Sequence, residues 1–211
     1  FRSNTVRDLG VLIDPGLKFT NHINNIVSKA NIRSSQIIRC FLSRNIPLMT
    51  RAFTTYVRPT LEYSSTTWSP SNITQIIAVE SVQRSFTKRL PGLYNLSYAD
   101  RIKNLKLQSL EHRRLLADLS QTYKIINNLT CLKFADFFAY PTCTTTRGHP
   151  LRLAVPVAKT DVRKHFFACR VVPIWNSLPA KVVQTKTLAN FKHLVRRVNL
   201  DNVLIFSTIY A

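Results

Sequence analysis

From residue 21 to residue 43 the apolar side chains return to one helical face, and little elsewhere in the chain interrupts that habit. Ile23, Ile26, Val27, Ala30, Ser34, Ile37, Ile38 and Phe41 keep the i, i+3, i+4, i+7 spacing of an amphipathic helix. Leu115, Leu116, Leu119, Tyr123 and Ile126 repeat it over residues 110–127. Only 4 of the 211 residues are glycine, too few for the tight turns of an all-β chain or for Gly-rich phosphate loops. Stripes of this kind are buried helix against helix, so the expected class is mainly α.

The punctuation refines this. β-branched residues run from Val6 to Asp14-Pro15-Gly16, a turn signal, with Leu17 and Phe19 alternating after it, which predicts a short β-hairpin. Thr20 is placed to cap the helix over 21–43. Pro47 suits the first turn of a second helix, which should stop near Arg58-Pro59 because the residue before proline avoids the helical region. A third helix is expected over 72–89, ended by Pro91-Gly92. Ser97 with Asp100 looks like a capping pair opening a helix towards Leu105. In the helix over 110–127, Arg113 and Arg114 load the first turn, against the helix dipole; a bound anion would compensate, and solvent exposure is the simpler account. The Thr- and Pro-rich stretch 130–150 is expected to be a linker. A strand over 151–157, an aromatic segment over 166–175 and a last helix over 188–198 should make a small α+β part over 151–211.

Charge narrows the partners. The chain has 30 Lys+Arg against 10 Asp+Glu, a formal net charge of +20, and this points to a polyanion. The basic residues run from Arg2 to Arg197 without the single amphipathic block of a membrane-surface helix, so nucleic acid is favoured over membrane. No 18-residue apolar run is present, no leader is visible before Phe1, and the only Met is Met49, which suggests a piece of a longer polypeptide. An intracellular location, nucleus or cytoplasm, is expected.

Catalytic patterns are scarce. No two acids are adjacent, and D-x-D, H-E-x-x-H, Walker and G-x-S-x-G patterns are missing from the sequence. Cys143, His149, His165 and Cys169 have C-x5-H and H-x3-C spacings, which do not match the paired ligands of a zinc site, so no metal is assigned. Tyr98-Ala99-Asp100-Arg101 begins like a Y-A-D-D polymerase box, but Arg101 stands where a metal-binding carboxylate belongs, and the stretch reads as a helix start.

Six linear motifs, in order, carry a resemblance. Val6-Arg7-Asp8-Leu9-Gly10-Val11, Tyr56-Val57-Arg58-Pro59-Thr60-Leu61-Glu62-Tyr63, Trp68-Ser69-Pro70, Val82-Gln83-Arg84-Ser85-Phe86-Thr87-Lys88, Ser109-Leu110-Glu111-His112-Arg113-Arg114 and Trp175-Asn176-Ser177-Leu178-Pro179 span nearly the whole chain. Together they resemble the C-terminal half of reverse transcriptases of non-LTR, LINE-like retrotransposons of the jockey-like group. The resemblance implies a polymerase whose palm aspartates bind two Mg²⁺ and lie, with the fingers, upstream of this chain. It implies a Leu9-Gly10 strand at the end of the palm near the primer grip (residues 1–20), a helical thumb-like bundle (21–129), a linker (130–150) and a C-terminal subdomain (151–211). The chain would then grip template–primer duplex, RNA, DNA or their hybrid, through phosphates, without catalysis and without a cofactor of its own. A host-repurposed interaction module, or a remnant of such an element, is the alternative. Lys29, Arg33, Arg58, Arg84, Lys88 and Arg89 are the expected phosphate contacts, since backbone tracking needs cations on helix faces rather than base-reading motifs. Tyr56, Tyr63, Trp68 and Trp175 suit either base stacking or the core, the core being favoured.

Overall fold

The computed structural model describes residues 5–142 and 149–205; the chain is mainly α, with one short antiparallel hairpin near its start. It divides into two compact units, residues 1–113 with 204–211, and residues 114–203. The division falls within a helix, between Arg113 and Arg114, and not in the 130–150 stretch where composition shifts. Composition marks where loops run, whereas a unit is defined by which core its side chains join. Leu110 belongs to the first core; Leu116, Leu119, Tyr123 and Ile125 belong to the second.

Strands β1 (Val6–Asp8) and β2 (Val11–Ile13) pair in the register Val6↔Ile13, Arg7↔Leu12, Asp8↔Val11. The turn between them is Leu9-Gly10, with φ of +43° and +89°, the left-handed pair that a two-residue type I′ turn requires. Two expectations are corrected here: Leu9-Gly10 is a turn rather than a strand, and Asp14-Pro15-Gly16 is not the hairpin turn. Asp14 instead organises the lead-in to the first helix, its carboxylate accepting from the amides of Gly16 (3.0 Å), Lys18 (3.2 Å) and Phe19 (2.7 Å).

Helix α1 (Thr20–Cys40) buries Ile23, Ile26, Ala30, Ser34 and Ile37 as its spacing predicts. Thr20 is not its cap. It is the first helical residue, and its hydroxyl accepts from Gln75 Nε2 at 2.9 Å. Helix α2 (Ile46–Ala52) has Pro47 in its first turn and Asn45 accepting from the Leu48 amide. The helical path does not stop at Arg58-Pro59. It widens into a π turn over Phe53–Val57, where the Arg58 amide reaches back to the Phe53 carbonyl, and continues as α3 (Arg58–Glu62). The one-residue slip relieves the clash that Pro59 would make with the preceding turn.

Short α4 (Ser65–Trp68) leads to α5 (Ile73–Lys88), capped by Asn72. The first core closes with Phe53 stacked on Phe86 (4.6 Å between centroids) and with Trp68, whose indole donates to the Tyr63 carbonyl at 2.7 Å. His22 meets the Trp68 ring edge-on at 5.3 Å, and its Nδ1 accepts from the Leu12 amide. Burial, with the Lys29 charge two turns along α1, holds the His22 pKa below its ordinary value of 6.5. A depressed pKa in the folded state means that stability is full above pH 6.5 and falls as acidification protonates the imidazole. Urea unfolding at pH 7 and pH 5 should show this loss, and a His22→Gln variant should lose less over the same interval.

Helix α6 (Tyr98–Asn104) starts as its capping pair predicts: the Asp100 amide donates to Ser97 Oγ (3.1 Å), which donates back to Asp100 Oδ2 (2.6 Å). Helix α7 (Leu110–Ile126) ends where Asn128 turns left-handed (φ +53°) and the Leu129 amide reaches the Lys124 carbonyl.

The second unit holds α8 (Phe134–Phe137), α9 (Asp161–Lys164), α10 (Phe167–Ser177), α11 (Ala180–Val183) and α12 (Leu188–Val195). The expected strand over 151–157 does not form. That segment joins no ladder: the Ala154 amide donates to the Ala139 carbonyl (2.8 Å), and other polar groups pair with side chains of α10. Leu151 O accepts from Trp175 Nε1 (2.9 Å), and Asn176 bonds both the amide and the carbonyl of Leu153 (2.9 and 2.8 Å). Asn176 thus serves Leu153 as a neighbouring strand would, and the C-terminal part has helices and no strand among the described residues. No helix of the described residues is long and apolar enough to cross a membrane.

Candidate nucleic-acid interface

Polar residues of the linear motifs and of the stretches beside them meet in the structure, mostly as framework. Glu80 of α5 is 1% exposed. Its Oε1 accepts from the Tyr98 hydroxyl and its Oε2 from the Leu110 amide at 2.9 Å. A carboxylate is therefore fixed at the first turn of α7, where the helix dipole favours negative charge. Gln83 donates from Nε2 to Tyr98 Oη (3.0 Å) and to the Gln108 carbonyl (3.1 Å). Arg101, in the position that departs from a polymerase box, is buried and donates to Leu96 O (2.7 Å) and Thr87 Oγ1 (3.3 Å). Burial lowers its pKa, and its guanidinium ties α6 to α5.

The arginines in the first turn of α7 are likewise not solvent-exposed as expected. Arg113 grips both oxygens of Glu62, with Nη2 at 2.9 Å from Oε2, and Arg114 is buried. The bidentate bond to Glu62 raises the Arg113 pKa, while burial and Arg113 lower that of Arg58, whose Nε lies 3.6 Å from Glu62. Two of the motif arginines thus share one carboxylate, which joins α3 to α7.

Of the six expected phosphate contacts, Lys29, Arg33, Arg84, Lys88 and Arg89 present exposed side chains, and Arg58 is partly buried beside Glu62. Lys29 and Arg33 are one turn apart on α1. Arg33 Nη1 donates to Thr60 Oγ1 (2.5 Å) and to the Tyr56 carbonyl (3.4 Å). Neutral acceptors thereby orient the guanidinium and leave its charge uncancelled. Arg84 and Lys88 on the last turns of α5, with Arg89 at its C-cap, form a second group, and Lys88 Nζ lies 4.8 Å from the centroid of the Tyr94 ring.

The aromatic residues separate cleanly. Trp68 and Trp175 are core, at 1% and 0% exposure, whereas Tyr56 and Tyr63 are 62% and 59% exposed. Tyr63 is oriented by its hydroxyl, which donates to the Leu9 carbonyl at the hairpin turn (3.0 Å). Tyr56, through its carbonyl, and Thr60 are the groups that meet Arg33. The exposure of Tyr56 and Tyr63 is missed by periodicity, because the π turn rotates this stretch. A signal was present all the same: no Asp or Glu occurs between Asp14 and Glu62, a span with seven Lys and Arg.

Elsewhere several carboxylates are engaged by groups of the chain itself. Asp14, Glu62, Glu80, Asp100 and Asp118 bond the groups just described or, for Asp118, both Nε and Nη2 of Arg170 (2.8 and 3.0 Å). Burial raises the Asp118 pKa, and Arg170 opposes the rise. Among the described residues no group of three or more His, Cys, Asp or Glu is placed to hold a metal ion. His149 is buried with Nε2 at 3.0 Å from the Trp175 carbonyl, and Cys143 lies outside the described residues. Cys40, Cys131 and Cys169 are free thiols.

No family model matches the chain. Over 127 residues it is 28% identical to an uncharacterized protein of Caenorhabditis elegans, a match covering 59% of this chain and 64% of that relative. The chain thus spans less than two thirds of the relative it matches. No solved structure matches it.

Proposed function

We propose that the chain binds nucleic acid through phosphates, as the thumb and C-terminal region of a non-LTR retrotransposon reverse transcriptase. The observation that carries this reading is the acid-free span between Asp14 and Glu62, which sets Lys29 and Arg33 on an exposed helix face beside exposed Tyr56. Glu62, the acid that closes the span, is bonded to Arg113 and lies beside Arg58. A surface of this kind follows a backbone without reading sequence. The six ordered motifs supply the more specific half of the proposal, and the grip rather than the chemistry is assigned to these residues.

Titration of the chain with an RNA–DNA hybrid tests it. With about six phosphates neutralised, affinity should fall roughly 10³-fold between 50 and 200 mM salt. A Lys29→Gln/Arg33→Gln variant should bind more weakly and show a salt slope shallower by about 2. Affinity that ignores salt, or a variant that binds like the parent, would overturn the reading.

A further inference from the structure

The second unit carries a row of rings that runs from its core out to solvent at both ends. Tyr140 stacks on Phe134 (4.7 Å, 23° between planes), Phe134 and Phe137 both flank buried Phe138 (6.0 and 6.3 Å), and Phe137 lies parallel to Phe166 (6.2 Å, 7°). The middle of the row packs on the second core. Its two ends do not: Tyr140 is 53% and Phe166 37% exposed. Each terminal ring is therefore held flat by a ring behind it, and it keeps aromatic surface open to solvent. The Arg163 guanidinium lies 5.0 Å from the centroid of the Phe166 ring, which puts a cation at that end of the row.

The surroundings select the occupant. Lys133, Lys159, Arg163 and Lys164 are exposed along the same segments, against exposed Asp136 and Asp161. Residues 114–203 hold 14 Lys+Arg and 4 Asp+Glu, a net +10, and Asp118, one of those four, is bonded to Arg170. Exposed rings set in a cationic field fit unpaired bases joined by phosphates, since every base has a face to stack and every linkage a charge to meet. A duplex keeps its bases stacked on one another and offers these rings nothing.

We infer that the Tyr140–Phe166 row is a stacking platform for single-stranded nucleic acid, separate from the duplex-binding face on α1 and α3. The inference stands on the second unit alone, so failure of the hybrid titration leaves it untouched.

The test uses the full chain with an oligouridylate of roughly 16 nucleotides and, in parallel, a blunt RNA–DNA hybrid. Tyr140→Ala/Phe166→Ala should weaken oligouridylate binding about tenfold or more, leave its salt slope unchanged and leave hybrid affinity unchanged. Tyr140→Trp/Phe166→Trp should restore single-strand binding. The singly substituted Tyr140→Trp chain gives a readout that does not rely on removing a ring. Both native tryptophans are buried, so oligouridylate should quench the emission of the new, exposed indole. Unchanged oligouridylate affinity in the alanine variant, a parallel loss for both probes, or no quenching would each overturn the platform.

Discussion

Trp175→Ala should destabilise the second unit by about 4 kcal/mol, the middle of the range for removing a fully buried aromatic side chain. Trp175 is 0% exposed and packs against Phe191 (5.8 Å) and edge-on to His149 (6.2 Å). Its indole N–H also donates to Leu151 O, so truncation orphans a carbonyl of the extended segment as well as opening a cavity. Trp175→Phe keeps most of the packing and loses that bond, and it should cost clearly less. Urea unfolding ranks the two variants, and amide hydrogen exchange should show lost protection in α10 and α12. Equal stability of Trp175→Ala and the parent would refute the role given to this side chain.

The second large effect is expected at Glu80. Glu80→Ala removes the acceptor for both the Tyr98 hydroxyl and the Leu110 amide, leaving two buried donors and an unfilled volume, at a cost of about 3 kcal/mol. Glu80→Gln retains one acceptor oxygen but turns an amide N–H₂ towards one of the two donors, so it should still cost about 1–3 kcal/mol. Tyr98→Phe, which removes one donor and keeps the ring, should be milder than Glu80→Ala. A Glu80→Gln chain as stable as the parent in urea would show that the carboxylate is not the acceptor for both groups. The measurement bears on function indirectly, because Glu80 bonds α6 and the start of α7 to the same helix that carries Arg84, Lys88 and Arg89.

These two residues also show where reading the sequence stops. Trp175 was legible as a motif residue but not as part of a helix. Pro173 lies inside α10 and argues against helix on local grounds, and only burial of Phe167, Ala168, Val171, Val172 and Trp175 on one face outweighs it. Glu80 was legible only as a position on α5, because its partners lie 18 and 30 residues away. The strand expected over 151–157 failed for a related reason: β propensity reports an extended backbone, and Asn176 supplied the pairing that a second strand would have supplied. The exposed cations of the candidate face were legible one by one. Arg58 and Arg113 were not legible as sharers of Glu62, since a charge in sequence does not name its counter-ion.

What the sequence by itself determined is what local physics dictates. Apolar spacing set α1, α5 and α7, Asn72 and Ser97 set where two helices begin, and 30 cations against 10 acids set the sign of the surface. The tertiary structure alone decided what depends on partners far away in the chain. It placed the hairpin turn at Leu9-Gly10, with Tyr63 bonded to it, and drew Glu62 and Glu80 inward while leaving Lys29 and Arg33 outside. It also divided the units within α7. Spacing along the chain encodes which face of a helix is apolar, but the choice among competing apolar and charged partners is settled only when all of them are packed at once.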